Sequence, residues 1–342
     1  MKQTSYGQPS SAGLFTLAIR LVIGWTYFSA FWRRLILENK LDPEGAGYIG
    51  EKFNHFLPNA LGIQPIIEYL VTHPDHLHTA MVVFTIVEAV VGLFVMLGLF
   101  TRLMGIGVFG LAMGILLGSG WLGTTCLDEW QIGVLGVAGG FTLFLSGSAN
   151  YSLDHYFVGK NLSFTNAPWF RWLGSGPLPL AAPHRFVLIG SLSIFALTLF
   201  TNQYFHGGVW GTLHNKSVRP KVELADVQLA GDRLRFQVYR TEGADVYGSF
   251  LIGIRVLTEE GETVFALDGD DLAEFPVEDI HNHYVAKVQS GAYSLVMPLG
   301  AKADLSISLA DLRLPMDKRY VLELVDISGM TWQAEVDFAP LY

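Results

Sequence analysis

The sequence predicts an α-helical membrane bundle of about five transmembrane helices, followed by an all-β, immunoglobulin-like sandwich domain. The composition is 51% hydrophobic and only 15% charged, whereas soluble domains carry about 25% charged residues. Residues 1–215 hold ten basic and ten acidic residues, while residues 216–342 hold twelve and twenty-one. From about residue 219 the long apolar stretches give way to alternation. These observations predict two parts that face different solvents.

Five apolar stretches are long enough to cross about 30 Å of hydrocarbon. They are approximately residues 14–37, 79–100, 103–122, 130–147 and 185–202. The first follows a polar N-terminus and is too long for the core of a signal peptide, so we expect an uncleaved spanning helix.

The domain organisation follows from the segments between these spans. Irregular, aromatic-rich sequence after the fourth span predicts a linker at the membrane interface, and a similar segment, 38–78, follows the first span. We expect a four-helix membrane domain over 1–150, an interfacial linker over 151–184, a fifth helix with a connector over 185–215, and the β domain over 216–342.

Short alternating runs predict the strands of the β domain. In residues 233–239 the apolar side chains fall on one face, as a half-buried strand requires. Candidate strands are 220–229, 233–240, 248–257, 263–267, 283–289, 292–298, 304–309, 319–326 and 331–338. Many short strands in about 125 residues are typical of an immunoglobulin-like sandwich.

The distribution of basic residues favours a cytoplasmic N-terminus. With that orientation the inner flanks hold five basic residues and the outer loops four, a small positive-inside excess. Five spans then place the β domain on the outer, periplasmic face of the cytoplasmic membrane.

Several function classes are excluded by composition. The acidic balance argues against nucleic-acid binding. The only cysteine is Cys126, so the chain has no cysteine set for an iron–sulfur or zinc site. We find no haem-attachment motif, flavin fingerprint or metal-binding motif. Glycines spaced by four at 110, 114 and 118, and at 136 and 140, predict close helix packing and allow a homodimer.

Two charged residues lie within the predicted spans. Arg20 is about seven residues into the first span, and Glu88 is near the middle of the second. A charge at that depth costs at least about 2.5 kcal/mol unless it is paired or hydrated. In antiparallel helices their depths differ by roughly 8 Å, which two long side chains can close. Two interpretations are open: a structural ion pair, or a proton route or quinone contact.

Arg33 and Arg34 lie together at the predicted outer end of the first span. Arg34 shares a helical face with Arg20 and Tyr27. Guanidinium groups suit bidentate binding of oxyanions. The two interpretations are an anion site and contact with lipid headgroups.

Cys126 lies in the short loop Gly120–Trp130, on the same predicted face as the arginine pair. Nearby cations favour the thiolate, the nucleophilic form of cysteine, whereas Asp128 and Glu129 oppose it. A chemical role and inert packing are both open for this thiol.

The chain resembles the DoxX-like superfamily, and most closely the DoxD subunit of membrane thiosulfate:quinone oxidoreductase. The resemblance is carried by residues 19–25, 88–92, 97–102 and 118–130, which include Ile-Arg-Leu-Val-Ile-Gly-Trp, Glu-Ala-Val-Val-Gly and Leu-Gly-Leu-Phe-Thr-Arg. The final span and the β domain resemble the companion DoxA subunit. The chain thus looks like a fusion of the two subunits.

The resemblance implies oxidation of two thiosulfates to tetrathionate, with two electrons passed to a membrane quinone. On this template Cys126 and Glu88 are catalytic, and Arg33, Arg34 and Arg20 bind substrate. The implied quinone contacts are Trp25, Tyr27, Trp121 and Arg102. The runner-up is a non-enzymatic, quinone-binding anchor or scaffold for a separate sulfur-oxidising enzyme. A third reading, an oxyanion transporter, lacks the inverted repeat common in that class.

Overall fold

The computed structural model describes residues 11–45, 47–123, 128–175, 178, 182–244, 249–310, 312, 314–315 and 317–338, without the side chains of Asp128 and Ser249. The chain divides into two compact units. The first comprises Met1–Ile49, His78–Gly120 and Leu127–His214, and the second Gly50–Leu77, Trp121–Cys126 and Asn215–Tyr342.

The apolar half of the chain is mainly helical, and one further short helix lies in the β domain. In chain order the helices are α1 (Ser11–Phe15), α2 (Leu17–Phe31), α3 (Glu51–Phe56), α4 (Gln64–Thr72), α5 (Pro74–Leu97), α6 (Thr101–Ser119), α7 (Asp128–Ser146), α8 (Leu153–Gly159), α9 (Pro168–Leu173), α10 (Pro183–His206) and α11 (Gly269–Ala273). A π-helical turn, Trp32–Leu37, continues α2, and short 3₁₀ turns occur at Leu57–Asn59, Ser163–Asn166 and Val277–Asp279.

All five predicted spans are helical. Among the described residues, three helices, α5, α6 and α10, are individually long and apolar enough to cross a membrane. The first predicted span comprises α2 with its π-helical turn, and the fourth coincides with α7. The prediction of a helical membrane region followed by a β domain is therefore confirmed.

The long helices of the first unit run antiparallel to their neighbours. Thr16, just before α2, contacts Ser146 at the end of α7, and Tyr27 on α2 contacts Gly136 on α7. On α7 and α10, Phe141 packs on Phe186, while Trp130 donates to the Thr201 hydroxyl. We call the end of the bundle at which α2 begins the Arg20 end and the opposite end the Arg34 end.

Two pairs of glycines let backbones touch inside this bundle. On α2 and α5, a Cβ at Gly24 would lie 2.8 Å from the Gly92 carbonyl oxygen, and a Cβ at Gly92 would lie 2.7 Å from that of Gly24. On α6 and α7, Gly105 and Gly140 make the same reciprocal approach, at 3.0 and 2.8 Å. Side-chain carbons do not tolerate such distances, so each crossing requires glycine.

The predicted packing role is right for Gly136 and Gly140 and wrong for Gly110 and Gly114. A Cβ at either of the latter two would meet no atom within 4 Å. The packed face of α6 instead follows the row that contains Gly105, and both of these glycines lie on the exposed face. Four-residue spacing alone does not tell which face of a helix meets a neighbour.

The described residues of the β domain form eleven strands in two sheets. The strands are β1 (Lys221–Ala230), β2 (Arg233–Glu242), β3 (Ser249–Thr258), β4 (Thr263–Leu267), β5 (Ile280–Asn282), β6 (Gln289–Ser290), β7 (Leu295–Met297), β8 (Lys302–Ser308), β9 (Tyr320–Asp326), β10 (Thr331–Glu335) and β11 (Asp337–Phe338). One sheet has the order β11-β1-β2-β8-β5, and the other β10-β9-β3-β7-β6, with β4 also paired to β3. Buried residues of both sheets form one core.

The prediction of a strand over 283–289 is wrong. The Asn282 side chain donates to the Val288 carbonyl at 3.0 Å and accepts from the Val288 amide at 2.7 Å. These two bonds close the intervening residues into a loop, so the pairing ends at Asn282 and resumes at Gln289. A side chain that bonds to the local backbone competes with strand pairing, and a prediction from alternation alone does not detect it.

The segment between the first two spans folds with the β domain. Asn54 on α3 is fully buried, donates to the Gly300 carbonyl and accepts from the Ala286 amide. On α4, Glu68 accepts from the Tyr284 hydroxyl at 3.1 Å. Buried amides need such partners, so these bonds tie the segment to specific backbone positions of the second unit.

The glycine contacts generate a prediction. We expect Gly92→Val to lower the free energy of unfolding by about 1–3 kcal/mol, because the added carbons force α2 and α5 apart. Gly110→Val is the matched control and should change it by less than about 0.5 kcal/mol. Unfolding in mixed micelles, followed by tryptophan fluorescence, measures both. Equal losses in the two variants would contradict the α2–α5 contact.

Candidate functional site

A buried ion pair lies at the Arg34 end of the bundle. Glu88 on α5 is only 4% exposed. The Nη1 group of Arg34 donates to its Oε2 at 2.6 Å and to the Thr85 hydroxyl at 3.0 Å. Arg34 lies in the π-helical turn, a rare conformation that is frequent at functional sites. The charge of Glu88 is thus neutralised within the bundle.

Arg20 and Glu88 do not form the structural ion pair that was one of the two interpretations of these charges. Gly24 and Gly92 cross, Arg20 lies one turn before Gly24, and Glu88 lies one turn before Gly92 on the antiparallel helix. Because the helices run in opposite directions, Arg20 and Glu88 lie on opposite sides of this crossing. The two charges are therefore separated by about 12 Å along the helix axis. Each charge finds another partner.

Arg33 and Arg34 do not form a joint cluster. Arg34 is partly buried against Glu88, whereas Arg33 is exposed. Adjacent residues on a helix point in directions roughly 100° apart, so both cannot turn inward. Arg33 still adds positive charge close enough to act on Glu88. The pair therefore offers one buried and one solvent-side guanidinium at the same end.

A groove lies between α2 and α7. It has a volume of about 660 Å³ and is lined by Ala18, Ile19, Val22, Ile23, Thr26, Tyr27, Ile132, Leu135, Gly136, Ala138, Gly139 and Thr142. Its walls are largely apolar, and small residues on α7 create the space. Tyr27 is the largest polar side chain in the lining and is otherwise buried. Tyr27 belongs to the same buried cluster as Phe84 and Val91 on α5, the helix that also carries Glu88.

The other three proposed quinone contacts do not line this groove, and within the first unit Trp25 and Arg102 lie away from Tyr27. Trp25 is 55% exposed, on another face of α2. Trp121 belongs to the second unit, where its indole N–H donates to the Phe56 carbonyl. Arg102 lies at the Arg20 end, where it donates to the carbonyls of Phe144 and Arg171. Among the four, Tyr27 alone lines the groove.

Arg20 and Asp154 lie in a polar cluster at the Arg20 end. Arg20 is 1% exposed and donates through Nη2 to the Tyr151 carbonyl at 2.6 Å. Asp154 accepts from the backbone amides of Phe100 and Thr101 and from three hydroxyls, those of Thr101, Ser148 and Ser175. The carboxylate thereby caps the start of α6. Arg102 and Arg20 both act on its charge.

The sequence reading missed Asp154 because it lies in an apparently irregular linker. Burial raises its pKa, and the hydrogen bonds from Thr101, Phe100 and Ser175 oppose that shift. The sequence signal for Asp154 was an acidic residue among serines in an otherwise aromatic linker. Gly98, whose φ is +65°, lies close to the Arg20 guanidinium. The glycine itself was the only sign of this contact in the sequence.

Cys126, the proposed nucleophile, lies outside the described residues. The residues on either side of it are defined: Gly123 is held by hydrogen bonds, and α7 begins at Asp128. In the described part of the chain, no group of three or more His, Cys, Asp or Glu side chains is arranged to bind a metal ion.

Two family models match the chain. Residues 15–181 match the family described as TQO small subunit DoxD, where TQO is thiosulfate:quinone oxidoreductase. Residues 205–335 match the family described as TQO small subunit DoxA. The matches occur in the predicted order, and residues 182–204, which include most of α10, lie between them. The resemblance to two fused subunits is confirmed.

The ion pair generates a second prediction. We expect Arg34→Ala to destabilise the bundle by about 3–5 kcal/mol, because it leaves Glu88 buried without its partner. Arg34→Ala with Glu88→Ala should recover much of that loss, and Arg33→Ala, the matched control, should cost little. A double-mutant cycle on unfolding in mixed micelles measures the coupling. Additive losses would show that the two charges do not interact.

Proposed function

We propose, from the membership of this chain in the DoxD and DoxA families, that it is a membrane thiosulfate:quinone oxidoreductase that forms tetrathionate. Two thiosulfates lose two electrons, and a quinone takes up those electrons with two protons. The observation that carries the proposal is the buried Arg34–Glu88 pair next to Tyr27, which lines a groove open to lipid. On this proposal, an anion site and a quinone site lie within one helical unit.

The Arg34 end suits a divalent sulfur oxyanion. A guanidinium has five N–H donors, and Glu88 and Thr85 contact only one nitrogen of Arg34. Exposed Arg33 supplies a second positive charge at the solvent side. Charge-assisted bonds to both groups would hold thiosulfate.

The groove suits the ring and the isoprenoid tail of a quinone. Its volume and apolar walls match those of a small-molecule site, and lipid-soluble ligands reach it from the membrane. Tyr27 would orient a quinone carbonyl, while Glu88 would supply protons as the electrons arrive. Ion-paired carboxylates inside membranes often mark proton routes.

The sulfur chemistry would run through Cys126. Its thiolate and the outer sulfur of one thiosulfate form a disulfide bond, and two electrons leave for the quinone. The second thiosulfate attacks the sulfur of that adduct, releases tetrathionate and expels the cysteine as thiolate. The thiolate is thus regenerated, and two electrons and two protons reach the quinone in each cycle.

We propose that the β domain lies on the outer, periplasmic side. Five antiparallel helices that begin inside would end outside, next to the start of the second unit. The Arg34 end, with its arginine pair, would face the same side, where thiosulfate and tetrathionate exchange with solvent. Quinol would leave laterally through the membrane.

Turnover by the purified chain tests the proposal. With thiosulfate as the sole donor, we expect one quinol for each tetrathionate formed, measured by absorbance and by anion chromatography. Cys126→Ser and Arg34→Ala should lose at least about 100-fold in kcat/KM, equivalent to about 2.7 kcal/mol. Folded protein with no turnover would overturn the proposal and favour the anchor function.

A groove-filling variant tests the quinone site separately. Ala138→Phe should raise the KM for quinone by about 10-fold or more and leave the KM for thiosulfate unchanged, because the added ring occupies the groove. Ala196→Phe, on the exposed face of α10, is the matched control and should change neither constant. If Ala138→Phe changed only the thiosulfate constant, the groove would not be the quinone site.

A further inference from the structure

A buried guanidinium at the Arg20 end has hydrogen-bond donors that are not used. Arg20 is 1% exposed, and its Nη2 group donates to the Tyr151 carbonyl at 2.6 Å. Among the described residues, neither its Nε group nor its Nη1 group has a hydrogen-bond partner, although both are shielded from solvent. A buried charge is costly unless an opposite charge compensates it. This end of the bundle therefore favours an anion nearby.

The chain segments at this end carry an excess of positive charge. Residues 11–20, 97–102, 147–175 and 182–186 contain one acidic residue, Asp154, and five basic residues, which are Arg20, Arg102, Lys160, Arg171 and Arg185. The Asp154 carboxylate already accepts hydrogen bonds from two backbone amides and three hydroxyls. One carboxylate does not balance five cations, so this end keeps a net positive charge.

A pocket of about 510 Å³ lies beside the guanidinium. It is lined by Met96 and Leu97, in the last turn of α5, and by residues 151–153, 155 and 156. A Cβ at Gly98, the residue after Leu97, would lie 2.9 Å from Nη1 of Arg20 and 2.5 Å from the Cβ of Ser152. The wall formed by Tyr151 and Ser152 therefore has the pocket on one side and the buried cation on the other.

Tyr151 has an unusual backbone conformation in this wall. Its φ is +65°, in a region that bulky side chains rarely adopt. In this conformation its carbonyl accepts from Arg20, while its ring is 78% exposed. Strained backbone of this kind is frequent at ligand sites, so the wall has a feature that packing of the bundle alone does not explain.

The pocket also has a basic side chain at its rim and an apolar side. The Nζ group of exposed Lys160 lies 5.6 Å from the centre of the Tyr156 ring, which lines the pocket. Leu97 is 41% exposed at the end of α5, a helix long and apolar enough to cross a membrane. A ligand that fits both features has an anionic head and a hydrocarbon chain.

We propose that this pocket binds the phosphate headgroup of an anionic phospholipid. Lys160 contacts the headgroup, the charge of Arg20 attracts it through the thin wall, and an acyl chain runs along Met96 and Leu97. Basic pockets between transmembrane helices on the cytoplasmic side bind such headgroups. In the proposed orientation the Arg20 end faces the cytoplasmic leaflet, whose surface is negatively charged. This lipid site is separate from thiosulfate oxidation, and its test needs no turnover.

Native mass spectrometry of the purified full-length chain, released from a neutral detergent, tests the site. Dioleoylphosphatidylglycerol is the anionic probe, and dioleoylphosphatidylcholine, which has the same acyl chains, is the zwitterionic one. We expect the wild type to retain one anionic lipid per chain, at least about tenfold more tightly than the zwitterionic lipid, because two cations attract the headgroup.

Two charge-removing variants locate the site. Lys160→Gln and Arg20→Met should each lower the preference for the anionic lipid about fivefold, equivalent to about 1 kcal/mol for each basic residue. Arg185→Gln is the matched control, because this exposed cation lies at the same end, at the start of α10, and does not line the pocket. It should change the preference by less than about twofold. Thermal midpoints check that Arg20→Met is folded.

The outcomes are decisive in either direction. Equal retention of the two lipids by the wild type would overturn the proposal. An unchanged preference in Lys160→Gln would overturn it whether or not Arg20→Met folds, and so would equal losses in Lys160→Gln and Arg185→Gln, which would indicate attraction to the surface as a whole.

Inorganic phosphate distinguishes the two sources of the headgroup chemistry. We expect the anionic lipid to stay bound in a large molar excess of inorganic phosphate, because the acyl chain contributes to binding. Displacement of the lipid by an equal concentration of phosphate would show a site for the free anion and would overturn the lipid assignment.

Discussion

The backbone contact between Gly24 and Gly92 sets which charges meet inside the helical unit. Because α2 and α5 run in opposite directions, this crossing places Glu88 within reach of Arg34 and leaves Arg20 about two turns away. A buried charge without a partner is costly in a bundle surrounded by hydrocarbon. The register therefore decides both where the helices stay together and where a polar site can exist.

The two ends of the bundle use buried charge differently. At the Arg20 end, Asp154 is surrounded by donors from three chain segments, and these bonds close the ends of several helices. At the Arg34 end, Glu88 has one strong partner and lies beside a tyrosine that borders an open groove. The arrangement around Asp154 is saturated with hydrogen bonds and suits a structural role. The second has unused donors and access to lipid, which suits chemistry.

Hydropathy and alternation were sufficient to predict the helical spans, the β domain and most of its strands, because these depend on which solvent each face meets. Partners inside the bundle were not predictable in this way. Pairing Arg20 with Glu88 requires the helix register, which depends on the Gly24–Gly92 contact, and Asp154 acquires its role only when the linker folds back on α6. The loop after Asn282 was missed because one side-chain amide replaced strand pairing.

We propose that sulfur oxidation and quinone reduction meet at Cys126 in this single chain. Intact-mass spectrometry of the protein mixed with thiosulfate, with and without oxidised quinone, tests it most directly. Since forming the cysteine–thiosulfate disulfide releases two electrons, we expect a mass gain of one thiosulfate unit that requires the quinone and is absent in Cys126→Ser. Steady tetrathionate formation by a chain whose cysteine is never modified, even at limiting thiosulfate, would contradict it.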